Sequence, residues 1–257
     1  EQSNQLELAS MIEFYHNPAK AFFVQRWQTR FYPLGQQSSD EEPFGFNGLD
    51  KYQLNERLIQ QILKIEHKSD AEIDSLAIEN PNVNVILLHE LKAEGKLPTG
   101  QSGTLALRPL VKQSTQLAEQ IQQLSQSNSI ESIDIDLLLN DLNLVGRVDN
   151  LFGQNLILWR AGKLRAKDRI SLYLQWLCLC ATQSKTGLGQ AHFISTEKPY
   201  SLPVIDKQSA IQQLIIWLEY WQRGSVQILH FYPEAAWQWV TSQDINRTLN
   251  IFKGNDF

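Results

Sequence analysis

The periodicity of this chain changes once, and that change fixes its fold class. Up to residue 124 the apolar residues recur at helical spacing. From Ile133 they alternate, with Ile133, Ile135 and Leu137 set against Asp134 and Asp136, which is the pattern of a strand with one wetted face. Residues 142–152 and 155–160 continue as strands, and Gly153-Gln154 between them reads as a hairpin turn. A helical pattern at 170–182, a strand at 191–195, a tryptophan-bearing helix at 210–223, a strand at 226–232 and two short helices complete the order. Helices, three strands, helix, strand, helix, strand predicts an α/β chain with a mixed sheet.

The part before the change reads as helical throughout. Residues 5–29 form two helices: Leu6, Leu8, Met11, Ile12 and Tyr15 keep one rhythm, and Asn17-Pro18 restarts it as a cap followed by proline at the first helical position. Residues 35–48 read as a loop, and a helix from Leu49 carries Tyr52, Leu54, Leu58, Ile62 and Ile65. A polar stretch at 68–79, a short helix with Val85, Leu88 and Leu91, and a turn at 95–100 lead to a glutamine-rich amphipathic helix over 105–124. Residues 125–129 form a linker. The expected organisation is a helical part, 1–125, packed on a mixed α/β core, 126–257, in one structural domain. Glu1 at the start, Met11 as the sole methionine and the ending at Phe257 read as a fragment of a longer chain.

At 257 residues the chain buries a sizeable core, and its net charge of −5 excludes a uniformly basic coat while permitting a local basic groove. It has no apolar run of transmembrane length and no signal-peptide pattern, so no membrane contact is expected. Cys178 and Cys180 stand two apart in an apolar helical pattern and point to different helix faces; reduced core thiols suit the cytoplasm. The five histidines show no metal spacing, and no phosphate-cradling glycine loop of the GxxxxGK type is present.

Residues 145–163 resemble half of a magnesium-dependent phosphodiesterase site. Gly146-Arg147-Val148-Asp149 places a carboxylate on a strand, where a metal ligand belongs. The paired strand should then offer an acid, one residue and a lysine, and offers Leu158-Trp159-Arg160-Ala161 instead. One carboxylate holds a catalytic magnesium poorly, so the motif reads as degenerate, with no catalytic and no metal residues assigned and Asp149 as a vestigial candidate. Asp134 and Asp136 read as the solvated face of their strand, with Asp141 at its turn; Asp149 reads first as a turn-proximal polar residue or the ion-pair partner of a neighbouring arginine. The competing reading is an active magnesium nuclease that uses Asp149 with Lys163 as a displaced lysine.

Arg147, Arg160, Lys163, Arg165, Lys167 and Arg169 stand against only Asp149 and Asp168, a local balance of +4 in a chain of −5. Such a cluster suits the phosphate backbone of DNA, with affinity falling as salt rises. A solvated basic face, or an interface with an acidic partner, accounts for the same residues. Trp217 and Trp221, at helical spacing, read as core or subunit-interface residues rather than a base-stacking platform.

Seven pieces carry a family resemblance in order. They are Phe14-Tyr15-His16-Asn17-Pro18 with Ala21-Phe22-Phe23; Glu42-Pro43-Phe44 with Gly48-Leu49-Asp50-Lys51-Tyr52-Gln53-Leu54; Ala93-Glu94-Gly95-Lys96-Leu97-Pro98-Thr99-Gly100; Val145-Gly146-Arg147; Leu158-Trp159-Arg160; Tyr173-Leu174-Gln175-Trp176-Leu177; and Tyr232-Pro233-Glu234 with Trp237. In these the chain resembles the C-terminal region of the gamma subunit (RecC) of exodeoxyribonuclease V, the RecBCD helicase–nuclease. The resemblance implies a restriction-endonuclease-like fold without its catalytic residues. It also implies a heterotrimer with the beta and alpha subunits, contact with double-stranded DNA ends and separated single strands, and a cytoplasmic role in repair by homologous recombination. This domain would need no cofactor, magnesium and ATP being used by the partner subunits. The chain departs from a fully degenerate copy in keeping Asp149, and the resemblance implies that the far C-terminal segment of the full subunit is missing here. Pure scaffolding remains the third reading.

Overall fold

The computed structural model describes residues 4–27, 48–65, 101–126, 129–182 and 187–253. The expected loop before Gly48, the polar stretch at 68–79, the short helix with Val85, Leu88 and Leu91, and the turn at 95–100 lie outside these residues. In chain order the elements are β1 (Gln5–Glu7), α1 (Leu8–His16), α2 (Pro18–Trp27), α3 (Gly48–Ile65), α4 (Gln101–Ser125), β2 (Ile130–Leu139), β3 (Leu142–Phe152), β4 (Asn155–Trp159), α5 (Ala166–Thr182), β5 (Ala191–Ile194), β6 (Tyr200–Leu202), α6 (Lys207–Val226), α7 (Pro233–Ser242) and α8 (Ile245–Phe252). The architecture is a mixed six-stranded sheet flanked by helices.

β3 is the hub of the sheet. β2 runs antiparallel along one edge, from Leu139 opposite Leu142 to Ile130 opposite Phe152. The other edge is shared: β1 lies parallel to residues 143–145, and β4 pairs antiparallel with Leu151 and Phe152. β5 then lies parallel to β4, and β6 antiparallel to β5. The hairpin turn carries Gly153 at φ 59°, a conformation that glycine adopts without steric cost.

The two halves of the sheet are dressed differently, and burial shows why. Along β4 and β5, Leu156, Ala191 and Phe193 enter one core with α1, α5 and α6, whereas Ile157 and Ile194 enter a second core with Ile59, Leu117 and Ile121 of α3 and α4. That half is covered on both faces. Along β2 and β3, Ile135, Leu139, Leu144 and Val148 are buried, while Asp134, Asp136, Leu138, Arg147 and Asp149 are exposed on the opposite face. That half has one dry face and one wet face.

Two expected elements are corrected. Residues 5–7 are a strand, not the start of a helix: the register Gln5–Asn143, Leu6–Leu144, Glu7–Val145 draws them into the sheet before α1 begins. Residues 226–232 are not a strand. Val226 ends α6, and the following extended segment buries Leu229 and Phe231 in part without joining a ladder; the last strand is instead Tyr200–Leu202. The expected linker also starts late, since α4 runs through Ser125. The Asn17 cap forms as read, its side chain accepting the Lys20 N–H at 3.1 Å. Trp217 and Trp221 pack against the main core. Cys178 and Cys180 are both buried free thiols, and burial pushes the Cys178 thiol up to about 12.

Candidate nucleic-acid interface

The cationic segment begins where β4 ends, and backbone bonds hold it beside β5. The Arg160 N–H donates to the Ile194 carbonyl at 2.9 Å, and the Thr196 N–H to the Gly162 carbonyl at 3.1 Å. Three carboxylates brace the loop from different elements. Glu56 of α3 accepts the Ala161 N–H at 3.1 Å, Asp168 accepts the Arg165 N–H at 2.9 Å, and Glu234 of α7 accepts the Ala166 N–H at 2.8 Å. The last two satisfy N–H groups at the start of α5, where the helix leaves donors unpaired and favours negative charge.

The six cations are not equivalent. Arg160 lies 3.5 Å from Asp168, with both side chains less than a fifth exposed, and its guanidinium stands 4.9 Å from the centre of the Tyr52 ring. Arg169 is caged between Trp237 at 4.2 Å and Tyr200 at 5.3 Å, joining α5 to α7 and β6. Lys167 is half-buried near His16, whose pKa is lowered by its own burial first and by the Lys167 charge second. Lys163 and Arg165 are exposed. Arg147, on β3, is also exposed, and its Nε donates to Asp149 Oδ1 at 2.9 Å.

Asp149 itself accepts from Ser132 Oγ at 2.7 Å, and that bond, with the one from Arg147, holds its carboxyl below the usual carboxylate range. The arginine pairing anticipated for Asp149 is therefore present. Asp134 and Asp136 are exposed on the same strand face, as the alternation predicts. Among the described residues no three acids, histidines or cysteines converge in a way that would hold a metal ion. No helix among them is long and apolar enough to cross a membrane.

Glu56 is the residue that the sequence reading did not single out. Burial raises its pKa, against the lowering pull of the Ala161 N–H and of a hydrogen bond with Trp159. It therefore engages both Trp159 and Ala161, the residues on either side of Arg160. Its place in the sequence, among polar residues on an ordinary amphipathic helix, gives no sign of this.

Geometry thus defines a mixed α/β domain whose hairpin leads into a carboxylate-braced cationic loop. The family model described as the RecC C-terminal domain matches residues 3–244, and the chain belongs to that family. Similar curated proteins are RecBCD enzyme subunit RecC of Escherichia coli K12, 26% identical over 234 residues, and its counterpart in Haemophilus influenzae, 24% identical over 236 residues. RecBCD enzyme subunit RecC of Buchnera aphidicola subsp. Schizaphis graminum is 25% identical over 223 residues. The three matches cover 91%, 89% and 86% of this chain, and the matched region is about 19% of each relative's length.

Proposed function

We propose that this chain is a non-catalytic DNA-contacting and subunit-binding domain of an exodeoxyribonuclease V gamma subunit, working in double-strand break repair by homologous recombination in the cytoplasm. The observation that carries the reading is the loop after β4. Where a nuclease would hold an acid and a lysine, a backbone braced by Glu56, Asp168 and Glu234 presents Lys163 and Arg165 to solvent. These two would touch phosphates, and Arg147, Lys167 and the outer edges of Arg160 and Arg169 would extend the contact. Beta and alpha subunits would be the protein partners, and duplex ends and separated strands the nucleic acid. Magnesium and ATP would act on those subunits and not here.

A restriction-endonuclease-like fold with a degenerate motif goes with this reading. It is supported by Asp149 on β3, by the hairpin to β4, and by β5 lying parallel to β4 after the α5 crossover. The same reading takes the helical part, 1–125, and the core, 126–257, as one structural domain, in keeping with β1 joining the sheet and α1 entering the main core.

The test is Lys163→Ala with Arg165→Ala in the assembled heterotrimer, with duplex-end affinity measured across a salt series. Each lost phosphate contact removes about 0.9 from the slope of log affinity against log salt. Loss of one to two units supports the assignment, and an unchanged slope overturns it. The active-nuclease reading is tested separately: magnesium-dependent cleavage of linear DNA by this chain, abolished by Asp149→Ala, would replace the proposal.

A further inference from the structure

The wet half of the sheet ends in a strand that has no neighbour beyond it among the described residues. β2 pairs with β3 alone. Leu139 and Leu142 face each other across the two-residue turn Asn140-Asp141. In an antiparallel hairpin of this kind the closing pair exchanges backbone bonds, and every second residue back from it does the same. Leu137, Ile135 and Ile133 therefore bond to β3, while the N–H and C=O groups of Asp134, Asp136 and Leu138 point outward.

A groove of about 420 Å³ runs along this edge. Apolar groups of Leu137, Leu139, Ala181 and Ile211 line it, with Asp134 and Asp136 on the β2 side and Lys207 at the start of α6. Leu138, at 76% exposure, stands beside the two aspartates on the outer face. No cation among the described residues pairs with Asp134 or Asp136; Arg147, opposite Asp134 in register, is bonded to Asp149 instead.

We infer that the free edge of β2 receives an extended basic segment of another protein, which adds a strand to the sheet. A strand laid along β2 takes backbone bonds from Asp134, Asp136 and Leu138. Its side chains alternate: those on the outer face meet the two aspartates and are cationic, and those on the other face enter the groove and are apolar. Charge selects this occupant over the others. A second copy of this chain, pairing β2 with β2, brings acidic residues against acidic residues, which is unfavourable across strands. DNA would set its phosphates against the same aspartates.

The probe is an N-acetylated, C-amidated heptapeptide alternating lysine and valine, titrated against the full chain by fluorescence anisotropy, with hydrogen exchange followed over residues 130–139. Binding with slowed exchange at Asp134, Asp136 and Leu138 is expected. N-methylation of alternate peptide residues, and separately Asp134→Asn with Asp136→Asn, should each weaken binding at least tenfold. Equal binding by the N-methylated peptide, unchanged exchange, or an unaltered affinity of the double asparagine variant overturns the inference. So does concentration-dependent self-association of the chain that slows exchange over the same residues.

Discussion

Glu56 and Ala161 lie 105 residues apart in sequence, and the carboxylate of the first accepts the backbone N–H of the second at 3.1 Å. The bond ties α3 to the point where β4 gives way to the cationic loop, so the course of that loop depends on a side chain from the helical part. Burial raises the Glu56 pKa above its ordinary 4.5. A carboxyl whose folded pKa is raised binds a proton more tightly in the folded state, so its contribution is fully present below the unfolded value and is lost as pH rises through the folded one. The stability of the parent relative to Glu56→Gln, measured by urea unfolding from pH 4 to 8, should therefore fall as pH rises. Glu56→Ala leaves the Ala161 N–H without its acceptor, at a cost of about 1–3 kcal/mol.

Asp149 has the opposite sign. Its pKa is depressed by Ser132 and Arg147, so its contribution is present above the unfolded pKa and is lost as pH falls through the depressed value. The pair with Arg147 is more than half exposed on both sides, which limits its worth to about 1 kcal/mol or less. Asp149→Asn should therefore lower stability slightly at pH 7, and the gap to the parent should narrow in acid. Thermal unfolding at pH 7 and pH 3 checks both parts. A large loss at pH 7 would mean that Asp149 does something more than brace a strand face.

Gly146 is required by close approach. A Cβ built there would stand 2.9 Å from the Leu8 Cβ, at the point where β1 becomes α1. Leu8 is buried in the main core and has little room to retreat. Gly146→Ala should cost about 1–3 kcal/mol through overpacking. Chemical denaturation measures the cost, and hydrogen exchange at residues 5–8 should rise along with it.

Arg169 joins three elements through its two aromatic neighbours. Arg169→Ala removes a guanidinium lying against Trp237 and Tyr200, worth about 0.5–2 kcal/mol. The near-ultraviolet circular dichroism of the variant should change, reporting the altered surroundings of Trp237, and urea titration should show the lower stability. Arg169→Lys should recover part of the loss, because the charge returns without the planar stacking surface.

The β2–β3–β4 meander was legible from the sequence because β2 carries its own alternation, β4 is a short apolar run, and the turns have their own residues; Leu142 to Phe152 was read to the residue. Residues 5–7 were not legible. Three residues hold too short a pattern to reveal a strand, and what makes them one is a partner at 143–145. At 226–232 the alternation is real, with Leu229 and Phe231 turned toward the core, but among the described residues no strand pairs with it. The cationic cluster was visible as a run of charges. Its sorting into Arg160 and Arg169, held by aromatic rings, and Lys163 and Arg165, open to solvent, arises from Tyr52, Tyr200 and Trp237, which are distant in sequence. Glu56 was invisible for the same reason.

The parallel pairing of β1 with β3 has a consequence for the order of synthesis. The Asn4 side chain bonds to the Asp141 carbonyl, 137 residues later, beside the strand that β1 joins. At the ribosome's pace of about 5–20 residues per second, the residues that receive β1 emerge some seconds after it does. During that interval Leu6, Leu8, Met11 and Phe14 have no sheet to cover them. Burial of these four residues in the main core therefore waits until the sheet that covers them has been made.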